Sequence, residues 1–268
     1  MSTRSITRGS FWSKIALAAA VLLVPLVKPN VAQAAPKALT AEEVYALGQK
    51  YLKAKYYTKA LEQFNRVRSY FRDDPYSLKA ELAIAEIHYE KSEWDEARVA
   101  YEDFMRAHPR YPELDVVIYH LGMTIYRKAP IIADRDQTWT KQVVSTWTGF
   151  NARFPESEWR DEVEKNLGKA EARLARKELT IAQFYKRREA WSAVVGRVEP
   201  MLQTWPETPD KDTALLLLGT AHHRMGNTEA AKETLQRLTT ESPKSAELQA
   251  LTRELSTTPK PIKVRRTG

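Results

Sequence analysis

One unit of an internal repeat occupies residues Trp94–Pro109, which read WDEARVAYEDFMRAHP. Ala97 is followed four residues later by Tyr101, and this spacing puts both side chains on one face of an α-helix. Pro109 comes twelve residues after Ala97, and proline ends a helix because it lacks the backbone N–H and clashes with the preceding turn. These features predict that the unit is the second helix of a helix pair.

The same pattern recurs in four other units, one of which has a slip of three residues. In each, a small residue is followed by a bulky one and then by proline: Ala60, Phe64 and Pro75; Val143, Trp147 and Pro155; Val194, Val198 and Pro206; Ala231, Leu235 and Pro243. Small residues also mark the predicted first helices, at Gly48, Ala85, Gly122, Ala182 and Gly219. They let paired helices approach closely, and the bulky residue fills the space between repeats. We therefore predict an all-α fold, a right-handed superhelical solenoid of five tetratricopeptide-type helix pairs.

Two repeats depart from this pattern. Repeat 3 carries about nine extra residues within Lys128–Gln137, between its two helices, and repeat 4 begins with a long helix predicted from about Glu158 to Lys186. That helix is charged on most faces, which fits either a solvated helix with i, i+4 ion pairs or a spine that separates two lobes and docks a partner. Ser77 and Ser157 are the predicted helix N-caps in the segments that follow repeats 1 and 3.

The N-terminal residues have the pattern of a secretory signal peptide. Arg4, Arg8 and Lys14 precede the apolar run Ile15–Val27, and an A-x-A site ends at Ala34. We expect cleavage after Ala34; the alternatives are an uncleaved membrane anchor or a buried core helix. The apolar run is shorter than the roughly 20 residues that a bilayer-spanning helix needs.

The net charge of +8 comes from the two ends of the chain. Four of the 42 basic residues and none of the 34 acidic residues lie in residues 1–34, which leaves +4 for the remainder. The tail after Ser256 has four basic residues and no acidic ones: Lys260, Lys263, Arg265 and Arg266. The body is formally neutral, whereas nucleic-acid-binding domains cluster Lys and Arg on the folded surface. We therefore expect no nucleic-acid partner.

Together these features predict the organisation of the chain. We expect a signal peptide at 1–34, tetratricopeptide repeats 1–3 at 35–157 and repeats 4–5, with the long first helix, at 158–255. Residues 256–268 form a predicted disordered basic tail, because they are rich in Thr, Pro and basic residues.

The sequence lacks the residues of common catalytic and metal sites. It has no cysteine, which excludes disulfides, thiolate nucleophiles and cysteine-ligated zinc or iron–sulfur sites. Its five histidines form no H-E-x-x-H pair, and no G-x-S-x-G, P-loop or dinucleotide-binding glycine pattern is present. We expect no enzymatic activity, no cofactor and no bound metal.

Two aspartates in the repeat 3 insertion have the spacing that begins a calcium-binding loop. Such a loop also needs Gly at position 6 and Glu at position 12, but counting from Asp134 these positions hold Trp139 and Ser145. We expect Asp134 and Asp136 to cap a helix or to order the loop through hydrogen bonds.

The first helices of such a solenoid line a concave groove, and their register gives a candidate peptide-binding site. The residues predicted to face the groove are Tyr45, Gln49 and Lys53 in repeat 1, Leu82, Glu86, Tyr89 and Glu90 in repeat 2, and Tyr119, Met123, Tyr126 and Arg127 in repeat 3. Tyrosine supplies rigid contact area with a polar tip and methionine adapts its shape, which suits an extended or hairpin peptide. Lys53 or Arg127 is a candidate partner for a terminal carboxylate. The alternative is that half of these side chains are packing residues between repeats.

The insertion also carries a family resemblance. Asp134-Arg135-Asp136-Gln137-Thr138, with His108-Pro109 before it and Phe150 to Trp159 after it, is similar to the BamD/YfiO family, and the resemblance covers about Leu39 to Leu255. It implies a scaffold of the machinery that assembles outer-membrane β-barrels. It implies that N-terminal repeats receive unfolded barrel proteins through their C-terminal strand signal. The C-terminal repeats, and the loop motif Asp134, Arg135, Asp136 and Gln137, are implied to serve the barrel-forming partner and accessory lipoproteins.

One departure from this family concerns membrane attachment. Its members are usually lipoproteins with an acylated cysteine after the signal, and this chain has no cysteine. We expect a periplasmic protein held at the outer membrane through protein partners; a soluble relative with a divergent role is the other reading. The alternative function is a periplasmic tetratricopeptide adaptor that coordinates cell-wall synthesis or pilus assembly.

Overall fold

The computed structural model of this protein describes residues 38–258. The predicted signal peptide and most of the predicted tail lie outside these residues. The described chain forms twelve helices: α1 (Ala41–Lys53), α2 (Tyr57–Tyr70), α3 (Pro75–Glu90), α4 (Trp94–Ala107), α5 (Leu114–Lys128), α6 (Thr138–Trp147), α7 (Phe150–Arg153), α8 (Arg160–Arg187), α9 (Trp191–Thr204), α10 (Lys211–Met225), α11 (Thr228–Glu241) and α12 (Ala246–Leu255).

The helices pack as consecutive pairs. α1 packs on α2, α3 on α4, α5 on α6, α8 on α9 and α10 on α11, and successive pairs also contact each other. In repeat 3 the second helix is interrupted at Gly149, whose φ is 76°, and α7 continues it. Residues 38–258 contain no strand. The predicted all-α solenoid of helix pairs is confirmed.

The repeat residues occupy the positions that their sizes predict. The bulky residues of the first four repeats have no exposed surface: Phe64, Tyr101, Trp147 and Val198. A Cβ added to Gly48 would lie 2.6 Å from the Phe64 ring, and one added to Gly122 would lie 2.1 Å from the Trp147 ring. Only glycine allows this approach, because real Cβ atoms do not come so close to ring atoms.

In repeat 5 the space beside the first-helix glycine is filled by a residue other than the predicted Leu235. Leu235 is only half-buried, and the side chain that covers Gly219 is Leu251 of α12, which would meet an added Cβ at 2.8 Å. Leu251 has no exposed surface. An additional helix therefore closes the last pair, as the ends of repeat arrays require.

The predicted serine N-caps are wrong. Asp74 caps α3, since its side chain accepts a hydrogen bond from the Tyr76 backbone N–H at 2.9 Å, while Ser77 lies buried inside the helix. The reason is Pro75, which favours the first helical position and so places the cap one residue before it. Ser157 accepts a 3.3 Å bond from the Trp159 backbone N–H, and α8 begins only after Trp159.

The long helix α8 belongs to two hydrophobic clusters. Val163 in its first half packs with residues of α3 to α7, and Leu179 in its second half packs with residues of α9 to α12. Its ion pairs run to neighbouring elements, as from Arg176 to Asp210, and not between i, i+4 neighbours along the helix. Within residues 38–258 no helix combines the length and the apolar character needed to cross a bilayer. The domain boundary at residue 157 stays a prediction.

Candidate polypeptide-binding site

The loop of the repeat 3 insertion is organised by one buried amide. Gln137 is 1% exposed, and its Nε2 donates to the carbonyl oxygens of Ile132 (2.9 Å), Ala133 (3.3 Å) and Arg135 (3.2 Å). Its Oε1 accepts from the Thr140 hydroxyl at 2.5 Å. A single side chain therefore satisfies several backbone groups that a helix or sheet would otherwise pair.

The rest of the loop motif lies at the surface. Asp136 accepts from the backbone N–H and the hydroxyl of Thr138, at 3.2 and 2.9 Å, while Asp134 and Arg135 are exposed. Lys177 of α8 donates to the Arg135 carbonyl oxygen at 3.3 Å. The loop is thus tied both to the start of α6 and to α8.

A cleft of about 520 Å³ lies between α5 and α8. Met123, Tyr126 and Arg127 line it from α5, and Asp161, Glu162, Lys165, Asn166 and Lys169 line it from α8. The α8 residues follow at spacings of one turn, so one face of α8 forms a whole wall. Three of the predicted groove residues are therefore brought together with charged residues of the next repeat.

Hydrogen bonds fix the aromatic side chains beside this cleft. Arg173 donates to the Tyr126 hydroxyl at 2.9 Å and lies over its ring. Tyr119 stacks on Trp159 with ring centroids 4.1 Å apart. Burial, and then the hydrogen bond to Glu162, raise the pKa of Tyr119, so it stays a neutral donor.

Arg127 is one of three exposed cations that line the cleft, with Lys165 and Lys169. It is exposed, and no ion pair or hydrogen bond engages its guanidinium within residues 38–258. Met123 is 6% exposed and receives a weak bond to its sulfur from the Asn166 amide at 3.7 Å. The cleft therefore combines parts of Met123 and Tyr126 with exposed cations, which suits a chain segment that ends in a carboxylate.

The α3 residues of the predicted groove form a second group. Glu86 is half-buried, and burial, followed by the charge of Glu90, raises its pKa. The Tyr89 ring meets Trp94 at 5.5 Å and His120 at 5.3 Å. Leu82 packs against the central hydrophobic cluster. Of these residues, only Glu90 is exposed.

The α1 residues of the predicted groove either contact other side chains or, as for Lys53, lie exposed. Gln49 donates to the Tyr45 hydroxyl at 2.8 Å, and the Tyr45 ring lies 5.3 Å from Phe64. Lys53 is exposed in the last turn of the helix. Tyr119 and Met123 are each 6% exposed, so both pack largely within the protein and Met123 presents only a small part of its surface to the cleft.

Sequence reasoning missed the second wall of the cleft. It treated the charges of α8 as a solvated face or as a partner-docking spine, and so left out Lys165, Asn166 and Lys169. The signal was present in the one-turn spacing of Asp161, Lys165 and Lys169 beside the buried Val163. No cluster of potential metal ligands occurs in the described part of the chain.

Comparison with known proteins places this helix-pair chain in a family. The model of YfiO, described as an outer membrane lipoprotein, matches residues 37–238. The chain belongs to the YfiO family. The match includes the whole of α1 to α10 and therefore both walls of the α5–α8 cleft.

Curated relatives share one description, "Outer membrane protein assembly factor BamD". The protein from Neisseria meningitidis serogroup A is 25% identical over 215 residues, covering 77% of this chain and 80% of that protein. The protein from Pasteurella multocida is 29% identical over 202 residues, covering 72% and 78%. Among solved structures, the TPR2AB domain of yeast Sti1 in its pHSP90 complex is similar at 16% identity and a TM-score of 0.41, covering 80% of this chain and 82% of that one.

Proposed function

We propose that this protein is an outer-membrane protein assembly factor that acts as a periplasmic scaffold. It binds unfolded outer-membrane proteins through their C-terminal strand and holds subunits of the assembly machinery. Membership of the YfiO family and the descriptions of its relatives support this role. The single observation that supports the binding mechanism is the open α5–α8 cleft with Arg127 at its edge.

In this proposal the client's last residues enter the α5–α8 cleft. Its terminal carboxylate pairs with Arg127, and its apolar side chains lie against Met123 and Tyr126. A charge-assisted pair with a guanidinium gives direction as well as energy. Because α5 and α8 are already fixed by the core, little ordering cost opposes binding. The protein acts by binding alone and transforms no substrate.

The repeat 3 loop is the proposed contact for a partner subunit. Ile131 and Ile132 are 82% and 58% exposed, although Gln137 holds the Ile132 backbone in place. Apolar side chains that stay exposed on an ordered loop suit a protein interface. The barrel-forming subunit and accessory subunits are the proposed partners of this loop and of repeats 4 and 5, with Asp134 and Arg135 at the rim.

The proposed location is the periplasm, at the outer membrane. Residues 1–34 act as the secretory signal. Since the sequence has no cysteine to carry a lipid, the protein reaches the membrane surface through its protein partners. A single lipid chain gives only marginal membrane binding, so docking to a membrane-embedded partner is an adequate substitute.

Peptide binding tests the proposal directly. A labelled ten-residue peptide from the C-terminal strand of an outer-membrane barrel protein should bind the mature protein in a fluorescence anisotropy titration. Amidation of its carboxylate, or Arg127→Glu, should each weaken binding by about tenfold, the effect of losing one charge-assisted bond. Arg66→Glu, which changes an exposed arginine of α2, is the matched control and should leave the Kd unchanged.

Two results would contradict the proposal. If amidation and Arg127→Glu leave the Kd unchanged, the client carboxylate does not use the cleft. If barrel peptides fail to bind while peptides from a pilin or a cell-wall synthase do, the adaptor alternative is correct.

A further inference from the structure

A second groove lies on repeats 1 and 2 and shares no lining residue with the α5–α8 cleft. It has a volume of about 580 Å³ and lies between α2 and α4, with Ile84 and His88 of α3 at its base. One wall belongs to α4 and consists of Asp95, Glu96, Val99, Ala100 and Asp103. Because residues three or four apart share a helix face, one face of α4 forms this wall.

Val99 is apolar at a repeat position where the other repeats have a polar or small residue. It is 46% exposed and comes two residues after Ala97. The same position holds Glu62, Ser145, Gly196 and Glu233 in the other four repeats. Four residues further along, repeats 1 and 5 have Arg66 and Arg237, whereas repeat 2 has Asp103. Repeat 2 therefore departs from a solvated Glu–Arg pattern at two residues that line the groove.

The lining of the groove is more acidic than basic, with three carboxylates, one arginine and one histidine. Asp95 and Asp103 pair with Lys128 and Arg106, which lie outside the lining. Glu96 is exposed, and its side chain has no ion pair or hydrogen bond within residues 38–258. Carboxylates beside an exposed apolar side chain suit a segment that carries both basic and apolar residues.

The C-terminal tail of the sequence has this chemistry. Residues 259–268 read PKPIKVRRTG, with four cations and no acidic residue. Ile262 and Val264 alternate with basic residues, so in an extended segment these two apolar side chains share one side. We propose that the tail of one copy of this protein binds in the α2–α4 groove of a second copy. Its apolar side chains lie against Val99, and its long basic side chains reach Glu96 and Asp103 at the rim.

The length of the tail assigns it to a second copy. The described residues end after α12, which packs on α10 and α11 of repeat 5, whereas the groove belongs to repeats 1 and 2. Three steps between repeats, at about 8–10 Å each, separate them by roughly 24–30 Å. With Ile262 in the groove, only residues 259–261 remain as a linker, and three residues span at most about 10 Å. The tail therefore does not reach the groove of its own chain.

A contact of this kind joins copies head to tail. Each copy has one groove and one tail, so the two surfaces differ and the contact is heterologous. Ordering the tail opposes binding. The association is therefore expected to depend on protein concentration and, because it pairs exposed charges, to weaken as salt is added.

A synthetic peptide of residues 257–268 tests the site. Labelled with fluorescein, it should bind the mature protein in an anisotropy titration. Val99→Lys should weaken binding by about tenfold, because a cation replaces the apolar contact. Ser145→Lys adds the same charge at the equivalent exposed position of α6 and should leave the Kd unchanged. A peptide with Ile262→Ser and Val264→Ser keeps all four cations and should bind about tenfold more weakly.

Sedimentation velocity tests whether the tail comes from a second copy. Above the Kd measured for the peptide, the native protein and Ser145→Lys should self-associate, while Val99→Lys should stay monomeric. Thermal unfolding should show that Val99→Lys is folded, since Val99 is 46% exposed. The serine-substituted peptide tests the site on the native protein and so does not depend on this variant.

Three results would overturn the inference. Equal binding of the native and serine-substituted peptides shows attraction between charges alone. A Kd unchanged by Val99→Lys places the peptide outside the groove. A native protein that stays monomeric above the peptide Kd excludes the second copy. None of these results bears on the α5–α8 cleft, and the Kd for a barrel-strand peptide should be the same in the native protein and in Val99→Lys.

Discussion

Two junctions between successive first helices contrast in this molecule. At the junction of α10 and α12, Arg224 donates to Glu254 at 2.7 Å and Leu251 covers Gly219. At the junction of α5 and α8, the equivalent arginine is Arg127, which is exposed beside a cleft of about 520 Å³. The arginine at this repeat position is therefore paired with a carboxylate of α12 in repeat 5, whereas in repeat 3 it has no ion pair within residues 38–258.

The closed junction shows what the open one is able to bind. At α10, an arginine at this repeat position binds a carboxylate that an adjacent helix presents. At α5, Asp161 and Glu162 of α8 line the same cleft as Arg127, but neither forms an ion pair with it, so its guanidinium is available to a carboxylate from another polypeptide. The space over the first-helix glycine differs as well, since Trp147 from the same repeat fills it at Gly122.

The largest expected effect concerns the two glycines. Gly122→Ala puts a Cβ against the rigid, fully buried Trp147 ring, so we expect a loss of about 2–3 kcal/mol in the free energy of unfolding. Gly219→Ala meets the methyl ends of Leu251, which can move, and the Thr234 methyl at 3.3 Å, while alanine gains about 1 kcal/mol in helix propensity. Its net effect should be within about 1 kcal/mol. Urea denaturation of both variants measures the contrast, and equal losses would contradict it.

A smaller effect is expected from the two arginines. Arg224→Ala leaves the partly buried Glu254 unpaired, with only 24% of its side chain exposed, and should cost about 1–2 kcal/mol of unfolding free energy. Arg127→Ala should change that free energy by less than about 0.5 kcal/mol. Chemical denaturation compares them, and a large loss for Arg127→Ala would show that the open junction is a structural contact.

The smallest expected effect is a pH-dependent gain at Glu86. Its pKa is raised in the folded protein, mainly by burial, so the folded state binds the proton more tightly than the unfolded chain. Stability therefore falls as the pH rises from the ordinary pKa of glutamate to the raised one. Glu86→Gln should be more stable than the native protein by about 0.5–1 kcal/mol at pH 7, and this advantage should shrink as the pH is lowered through that window.

Thr220 supplies the control, because it occupies in repeat 5 the position that Glu86 occupies in repeat 2. Thr220 is buried and donates to the Leu216 carbonyl oxygen at 2.8 Å, so it carries no charge to titrate. Thr220→Ser should change stability by the same amount at pH 4 and pH 7. Melting curves at both pH values test the pair, and a pH-independent gain for Glu86→Gln would show that burial of its charge is not the cause.

The sequence was sufficient to predict the helix pairs because their signals are local. Ala97, Tyr101 and Pro109 each have one steric role that follows from spacing, and all three occupy it. The side chain that packs against Gly219 was not predictable in the same way, because Leu251 belongs to a helix outside the repeat. The prediction that the bulky residue four positions after the small one is fully buried fails at Leu235. Repeat 5 is the last repeat of residues 38–258, so no further helix pair covers this side chain.

The candidate site was predictable only in part. The register placed Met123, Tyr126 and Arg127 on one face, but it contained no information on which helix lies opposite. The burial of Tyr119 depends on Trp159, which is forty residues away in sequence. The contacts of His120 with Tyr89 and Tyr101 depend on three helices together, so a pattern read along one helix does not reveal them.

Site-specific photo-crosslinking tests the central claim, that the first-helix face holds the client polypeptide. Benzoylphenylalanine would replace Lys165 or Lys169 on the first-helix face, and Glu62 or Asp103, all exposed, on the second helices. With a barrel-strand peptide, crosslinks should form at Lys165 and Lys169 and be absent at Glu62 and Asp103. Crosslinks confined to the second helices would contradict the account.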